Sequence, residues 1–147
     1  MTKEKTFILI KPEAFNKRKE IKEYIIKNTN LKISESRVVK LKESDIECIY
    51  VNDLKTPLML SIKKHLIGKL VEVCVIEGQS AIQIIWDLVG KHFDGNKCEA
   101  NTLRYLFGRL GEIKYFNDEV YCLNAIHKTT GSEVDSVMKW FYREKSK

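Results

Sequence analysis

Four short runs of apolar, strand-forming residues recur along this chain, and segments with helical periodicity separate them. Short apolar runs indicate buried strands, whereas apolar residues spaced three and four apart indicate amphipathic helices. The resulting order is β-α-β-α-α-β-α-loop-β-α, in one domain that covers residues 1–147. Split β-α-β units in this order predict an α+β, ferredoxin-like sandwich, a four-stranded antiparallel sheet with helices packed on one face. The predicted strands cover residues 6–10, 31–41, 70–76 and 120–126.

Proline, glycine and serine residues mark the ends of the predicted helices. Pro57 suits the first turn of a helix that Gly68 ends, and Ser80 is expected to cap a helix that ends at Gly90. Residues 91–117 show no clean period apart from residues 103–107, and a stretch of that length predicts a functional loop. The predicted helices cover residues 16–28, 44–50, 57–64, 82–89 and 134–141.

Charge and composition narrow the class of protein. The formal net charge of +6 favours anionic partners such as nucleotides, nucleic acid or acidic membranes. Most lysines, however, fall on predicted helix faces and in loops, so a lysine-rich solvated surface is the preferred explanation of the charge. No apolar run is long enough to span a membrane, and the N-terminus lacks a signal-peptide pattern, so we expect a cytoplasmic protein. The four cysteines form no C-x-x-C pair, which argues against a zinc or redox cluster.

One histidine, His127, stands at the end of the fourth apolar run, three residues after Asn124. An imidazole titrates near neutral pH, so at a rigid strand end it can act as a nucleophile or a proton carrier. A strand-end histidine that only hydrogen-bonds its neighbours fits the same residues. The remaining motifs decide between these interpretations.

Five segments, in chain order, resemble signatures of the nucleoside diphosphate kinase family and together span almost the whole chain. They are residues 6–14, similar to the first strand and Lys-Pro-Asp signature; residues 76–81, similar to Trp-Glu-Gly-x-x-Ala; residues 102–108, similar to Thr-Ile-Arg-Gly-Asp-Phe-Gly; residues 124–127, similar to Asn-x-x-His; and residues 140–141, similar to a closing Trp-Phe.

The resemblance implies a ping-pong phosphoryl transfer. A nucleoside triphosphate would donate its γ-phosphate to His127, and a nucleoside diphosphate would then take it from the phosphohistidine. The implied cofactor is Mg²⁺, held mainly by the nucleotide phosphates rather than by a protein metal site. The implied partners are nucleoside di- and triphosphates and further copies of the chain, because a hexamer is common in the family.

The resemblance also assigns roles to individual residues. Lys11 would contact the transferred phosphate and the ribose, and Tyr50 would lie near the phosphate site. Arg104 would clamp phosphate oxygens with its planar fork. Asn124 would hydrogen-bond the ribose 3′-hydroxyl and organise the site around Lys11, and Thr129 would lie near the histidine and the phosphate.

Five positions depart from the family pattern. Leu58 stands where an aromatic ring usually stacks on the base, and Trp86 where an arginine binds phosphate. His92 replaces a phosphate-contacting threonine, and Lys128 replaces the glycine that follows the histidine. Ser136 stands where a glutamate orients the histidine, counting back from the closing Trp-Phe.

These departures leave alternative functions open, because a lost charge-assisted hydrogen bond costs about 1.5–3 kcal/mol. The chain is either an active kinase with a divergent pocket, in which Lys91, His92, Arg109 or Lys128 supplies the missing charge, or a weak family member. Such a member would bind nucleotide, nucleic acid or a partner protein. A ferredoxin-like domain with an unrelated role is a third alternative. The segment between Arg104 and the histidine is longer than in the family, which leaves the oligomeric state open.

Overall fold

The computed structural model describes residues 3–114 and 120–145, so Tyr115 and Phe116 of the long predicted loop lie outside the described residues. Short 3₁₀ segments and turns join the regular elements. No described helix combines the length and apolar character that a membrane span requires. The elements are β1 (Lys3–Ile10), α1 (Arg18–Asn28), β2 (Lys32–Lys40), α2 (Glu43–Ile49), α3 (Leu58–Leu66), β3 (Leu70–Gln79), α4 (Ala81–Val89), α5 (Leu103–Phe107), β4 (Glu112–Lys114), β5 (Val120–Cys122), β6 (Ile126–Lys128) and α6 (Val134–Lys145).

The main sheet has four antiparallel strands, as the sequence predicted, and their spatial order is β2-β3-β1-β6. β1 and β3 are the central strands, and Phe7 lies opposite Val75 between them. β6 pairs with the other side of β1, where His127 lies opposite Leu9. The sheet therefore holds the histidine beside the buried half of a central strand.

Helices cover both faces of this sheet. Successive residues of a strand point to opposite faces, and both sets are buried in β1. Phe7 and Leu9 pack with Ile46 of α2, Ile62 of α3 and Trp140 of α6. The alternate residues of β1 pack with side chains of α1, α4 and α5. The prediction of helices on one face was wrong, because the continuous apolar runs of β1 and β3 reflect burial on both sides.

The fourth apolar run forms two strands in different sheets, not the single predicted strand over 120–126. β5 pairs with β4 in a separate two-stranded sheet, whereas β6 belongs to the main sheet. Between them the backbone turns at Ala125, whose φ is +72°. The amide of Lys11 donates to the Ala125 carbonyl at 2.8 Å and fixes the turn against the end of β1. His127 consequently lies inside β6 rather than after a strand.

Three further segments differ from the sequence prediction. A 3₁₀ segment over Pro12–Lys17 precedes α1, which begins two residues later than predicted. Ser80 does occupy the N-cap of α4, but its φ is +57° and its side chain makes no capping hydrogen bond. The predicted loop over 91–117 contains a 3₁₀ turn at Gly95–Lys97 and strand β4 in addition to α5. The 3₁₀ turn and β4 are too short to show a periodic pattern of hydrophobic residues, so the sequence did not predict them.

Candidate functional site

A cavity of about 200 Å³ lies beside His127, between β6, the end of α2, α3 and β5. Six of the nine residues proposed from the sequence line it: Lys11, Tyr50, Leu58, Arg104, Asn124 and His127. Six further lining residues were not proposed: Asp53, Ile62, Phe93, Val120, Tyr121 and Cys122. The fold thus brings residues that are distant in the sequence, from Lys11 after β1 to His127 in β6, to one cavity that combines cations, a histidine and apolar side chains.

The imidazole of His127 packs on the ring of Tyr50, with centroids 3.9 Å apart and planes tilted by 32°. Its Nε2 is fully buried and has no hydrogen-bond partner among the described residues. Burial, and next the charges of Lys11, Arg104 and Lys128, lower the pKa of His127 from 6.5 to about 3. The ring is therefore neutral at physiological pH.

The Lys11 side chain is a buried cation, with only 4% of the residue exposed. Its Nζ donates to Oδ1 of Asn124 at 3.0 Å and lies 4.4 Å from the ring centroid of Tyr121. Burial and the charge of Arg104 lower the pKa of Lys11, the Glu13 carboxylate 3.9 Å away opposes them, and the resulting pKa is about 8. The ammonium is therefore positive but close to its titration point.

The guanidinium of Arg104 donates to backbone carbonyls around the cavity. Nε and Nη2 donate to the carbonyl of Ile126 at 3.2 and 3.0 Å, and Nη1 donates to the carbonyls of His92 at 3.1 Å and Gly90 at 3.5 Å. These bonds tie α5, which starts at the Thr102 cap, to the residue before the histidine. The predicted phosphate clamp stays a prediction, because this guanidinium already has carbonyl partners.

Asn124 joins the cavity to the loop after α4. Its Nδ2 donates to the carbonyl of Phe93 at 2.8 Å, while its Oδ1 accepts from Lys11. The Phe93 side chain remains 59% exposed at the rim. A Cβ at Gly108 would collide with the Asn124 backbone, so the residue after α5 has to be glycine.

Comparison with known proteins identifies the family. The nucleoside diphosphate kinase family model matches residues 4–145. A nucleoside diphosphate kinase of Nitrosospira multiformis is 33% identical over 147 residues, which cover 98% of this chain and 96% of the relative. The chain belongs to the nucleoside diphosphate kinase family.

Solved structures of the family confirm the predicted α+β, ferredoxin-like fold. The Aquifex aeolicus nucleoside diphosphate kinase superposes with a TM-score of 0.79 at 20% identity and covers 95% of each chain. The Borrelia burgdorferi enzyme, a transition-state mimic with bound vanadate and ADP, superposes with a TM-score of 0.78 at 19% identity and covers 97% of this chain and 89% of its own.

Three residues predicted from the nucleoside diphosphate kinase pattern lie outside the cavity lining: Trp86, His92 and Thr129. Nζ of Lys128 lies 3.5 Å from the Trp86 ring centroid and donates to the carbonyls of Gly90 at 2.6 Å and Trp86 at 3.1 Å. Trp86 and Lys128, both departures from the family, therefore form one contact. Thr129 is buried, and its amide donates to the Phe7 carbonyl at 3.2 Å. Nucleotide contacts by the three residues stay predictions.

Ser136 stands at the position where the family resemblance places a glutamate, so no carboxylate from this position can contact His127. The Ser136 hydroxyl donates to the carbonyl of Cys48 at 2.9 Å. Glu133 is buried nearby, but its carboxylate accepts from the Thr130 amide and hydroxyl and from the Asn52 amide. Among the described residues, neither Ser136 nor Glu133 provides a partner for Nε2 of the histidine, and the orienting role of position 136 stays a prediction.

The site fits a metal ion that arrives with the nucleotide. The described residues contain no cluster of three or more histidine, cysteine, aspartate or glutamate side chains that could hold a metal. Asp53 is the only carboxylate among the described lining residues. Mg²⁺ is commonly bound through one or two carboxylates together with substrate phosphates, and this donor set matches that arrangement.

Proposed function

We propose that this chain transfers the γ-phosphate of a nucleoside triphosphate to a nucleoside diphosphate through a phosphohistidine on His127. One observation carries the proposal: in a chain of this family, a neutral imidazole shares its cavity with the buried ammonium of Lys11. A neutral imidazole has a lone pair for attack on phosphorus, and a protonated one does not. Adjacent positive charge stabilises the phosphate oxygens during transfer.

Nδ1 of His127 is the attacking atom in this proposal, because Nε2 is buried. The Nδ1–phosphorus bond forms while the bond between the γ-phosphorus and the bridging oxygen breaks, and the diphosphate leaves with that electron pair. A second diphosphate then attacks the phosphohistidine through a terminal oxygen and restores the neutral ring. In-line geometry and charge supply most of the catalysis in such transfers.

The other lining residues have proposed binding roles. Lys11 contacts the transferred phosphate, and Asn124 hydrogen-bonds the ribose while it holds the Lys11 ammonium. Tyr50 supports the imidazole, and its buried hydroxyl, which has no partner among the described residues, donates a hydrogen bond to a phosphate oxygen. Leu58 and Phe93 border the base. An apolar border without hydrogen-bonding groups would discriminate weakly between bases.

Mg²⁺ is the proposed cofactor. The nucleotide phosphates would hold it, and Asp53 is the carboxylate that the described cavity lining could add. When bound, it would neutralise part of the phosphate charge. The proposal also includes a cytoplasmic location and assembly into a homo-oligomer. The family resemblance suggests a hexamer. The alternative of a weak binding module for nucleotide, nucleic acid or protein is not favoured, because the chain matches kinase relatives over nearly its whole length.

Initial-rate kinetics with ATP and GDP test the proposed function. A ping-pong mechanism predicts parallel double-reciprocal plots, and an ATP–ADP exchange reaction in the absence of GDP. His127→Gln is expected to abolish both reactions. Intersecting plots without exchange would show direct transfer between nucleotides and overturn the phosphohistidine.

A further inference from the structure

We propose that Glu13, held by His65, is a positioning residue that fixes both the Lys11 ammonium and the backbone leading to His127. Neither residue lines the cavity. The inference deepens the proposed function and rests on it only for its kinetic consequences.

The Glu13 carboxylate is buried and contacts three groups from different parts of the chain. Its Oε1 accepts from Nε2 of His65 at 2.7 Å. Its Oε2 accepts from the Ala125 amide at 3.2 Å and lies 3.9 Å from Nζ of Lys11. One carboxylate thus joins α3, the end of β1 and the turn between β5 and β6.

The contact with Ala125 holds a strained turn. A φ of +72° is a conformation that residues other than glycine rarely adopt. Such a conformation persists only when its surroundings over-determine it. Here Glu13 accepts from the Ala125 amide, and the Lys11 amide donates to the Ala125 carbonyl at 2.8 Å. The turn sets the direction of Asn124 on one side and His127 on the other.

The contact with Lys11 keeps that side chain charged. Burial and, less strongly, Arg104 of α5 lower the pKa of Lys11, whereas the carboxylate of Glu13 raises it, as Cys122 of β5 does more weakly. Its other close contacts are with the neutral amide of Asn124 and the ring of Tyr121. Without Glu13 the ammonium would lose its proton at a lower pH.

His65 holds Glu13 in the ionised form that both contacts require. Burial raises the pKa of Glu13, but the hydrogen bond from His65 and the charge of Lys11 bring it below its ordinary value. A carboxylate only accepts, so Nε2 of His65 carries the proton and donates. Nδ1 of His65 is buried without a partner among the described residues, and the ring packs 5.1 Å from that of Tyr121. This surrounding fixes the ring towards Glu13.

A titration of Lys11 tests the charge contact without any assumption about catalysis. Lysine labelled with ¹³C at Cε is followed by NMR from pH 6 to 11, and the Lys11 signal is assigned by its loss in Lys11→Met. Glu13→Gln, which keeps the size of the side chain, is expected to lower the Lys11 midpoint by about one pH unit or more. Glu72→Gln removes another buried, ion-paired carboxylate, on β3, and should leave the midpoint unchanged. An unchanged midpoint in Glu13→Gln would overturn the proposal.

The kinetic arm measures the rate of phosphoenzyme formation from ATP against pH. The rate of the wild type should fall as pH rises through the Lys11 midpoint, and in Glu13→Gln this fall should move to lower pH. His65→Leu should lower kcat about tenfold with little change in KM, and His65→Gln, which retains an N–H donor, should recover most of the loss.

The outcomes separate the two proposals. If the wild type forms no phosphoenzyme, the proposed function is refuted. The positioning role of Glu13 is then tested by the Lys11 titration alone. A wild type that is phosphorylated, together with Glu13→Gln and His65→Leu variants that share its pH profile and kcat, refutes the positioning role alone.

Discussion

Replacement of Arg104 by lysine tests how far one guanidinium holds the site together. The side chain supplies four N–H bonds to three carbonyls, those of Ile126, His92 and Gly90. Arg104→Lys keeps the positive charge but replaces the planar fork with a single ammonium. That ammonium can serve one of these carbonyls well, and Lys128 already donates to the Gly90 oxygen.

The Ile126 and His92 carbonyls then cannot both keep a charged donor, and the His92 carbonyl retains only the weaker Cys98 thiol, which donates to it at 3.1 Å. A hydrogen bond from a charged group contributes about 1.5–3 kcal/mol, so we expect Arg104→Lys to lower the free energy of unfolding by that amount. Urea unfolding monitored by circular dichroism measures the change. Arg109→Lys is the matched control, because Arg109 is exposed and donates through Nε to the Tyr105 carbonyl. The control should change stability by less than about 0.5 kcal/mol. A variant at position 104 as stable as the wild type would refute the bonding described for this guanidinium.

Three further substitutions probe the cavity and its supports. Leu58→Phe should tighten ADP binding about fivefold or more, because the ring provides a surface on which the base can stack. Titration calorimetry measures the change, and Leu54→Phe, outside the cavity lining, is the control. His127→Phe should flatten the fall in stability on acidification between pH 6.5 and about 3, seen by urea unfolding at several pH values. The reason is that the unfolded histidine binds a proton in that range and the folded one does not. Trp86→Leu should lower the free energy of unfolding by about 1–2 kcal/mol in thermal scans, because the Lys128 ammonium loses the ring beneath it, and Trp86→Phe should recover part of that loss.

Local patterns in the sequence were sufficient to predict the main elements. The apolar runs of β1 and β3 and the helical spacing of α1 and α4 predicted these elements and their order along the chain, because those residues form the core. The single strand predicted over 120–126 failed for a physical reason. Its break depends on Ala125, whose conformation comes from contacts with Glu13 and Lys11 more than a hundred residues away. No local pattern encodes such a turn.

The site residues that lie in sequence motifs were predictable, whereas those that line the cavity only because of the tertiary packing were not. Lys11, Asn124 and His127 lie within motif segments, and the fold brings them together. Ile62 also lines the cavity and was missed, although it follows Leu58 by four residues and so shares its helix face. Phe93 gave no signal, because an aromatic residue in an irregular loop has no period.

The departures from the family pattern make more sense in the structure than in the sequence. Trp86 and Lys128 were two separate anomalies along the chain, and they are one cation–ring contact in the fold. Lys128 therefore lies under the helix end and outside the cavity lining, although its charge still contributes to the lowered pKa of His127. The Ser136 hydroxyl donates to the Cys48 carbonyl, and Nε2 of His127 has no partner among the described residues, so we expect slower phosphoryl transfer than from an imidazole that a carboxylate orients.

Phosphorylation of His127 by ATP is the event on which the proposed function depends. The most direct measurement incubates the protein with γ-³²P-labelled ATP and Mg²⁺ and then adds an unlabelled nucleoside diphosphate. We predict label that is acid-labile and base-stable, that leaves on addition of the diphosphate and that is absent from His127→Gln. A protein that takes up no label at saturating ATP, or one whose His127→Gln variant takes up the same label, would contradict the phosphohistidine mechanism.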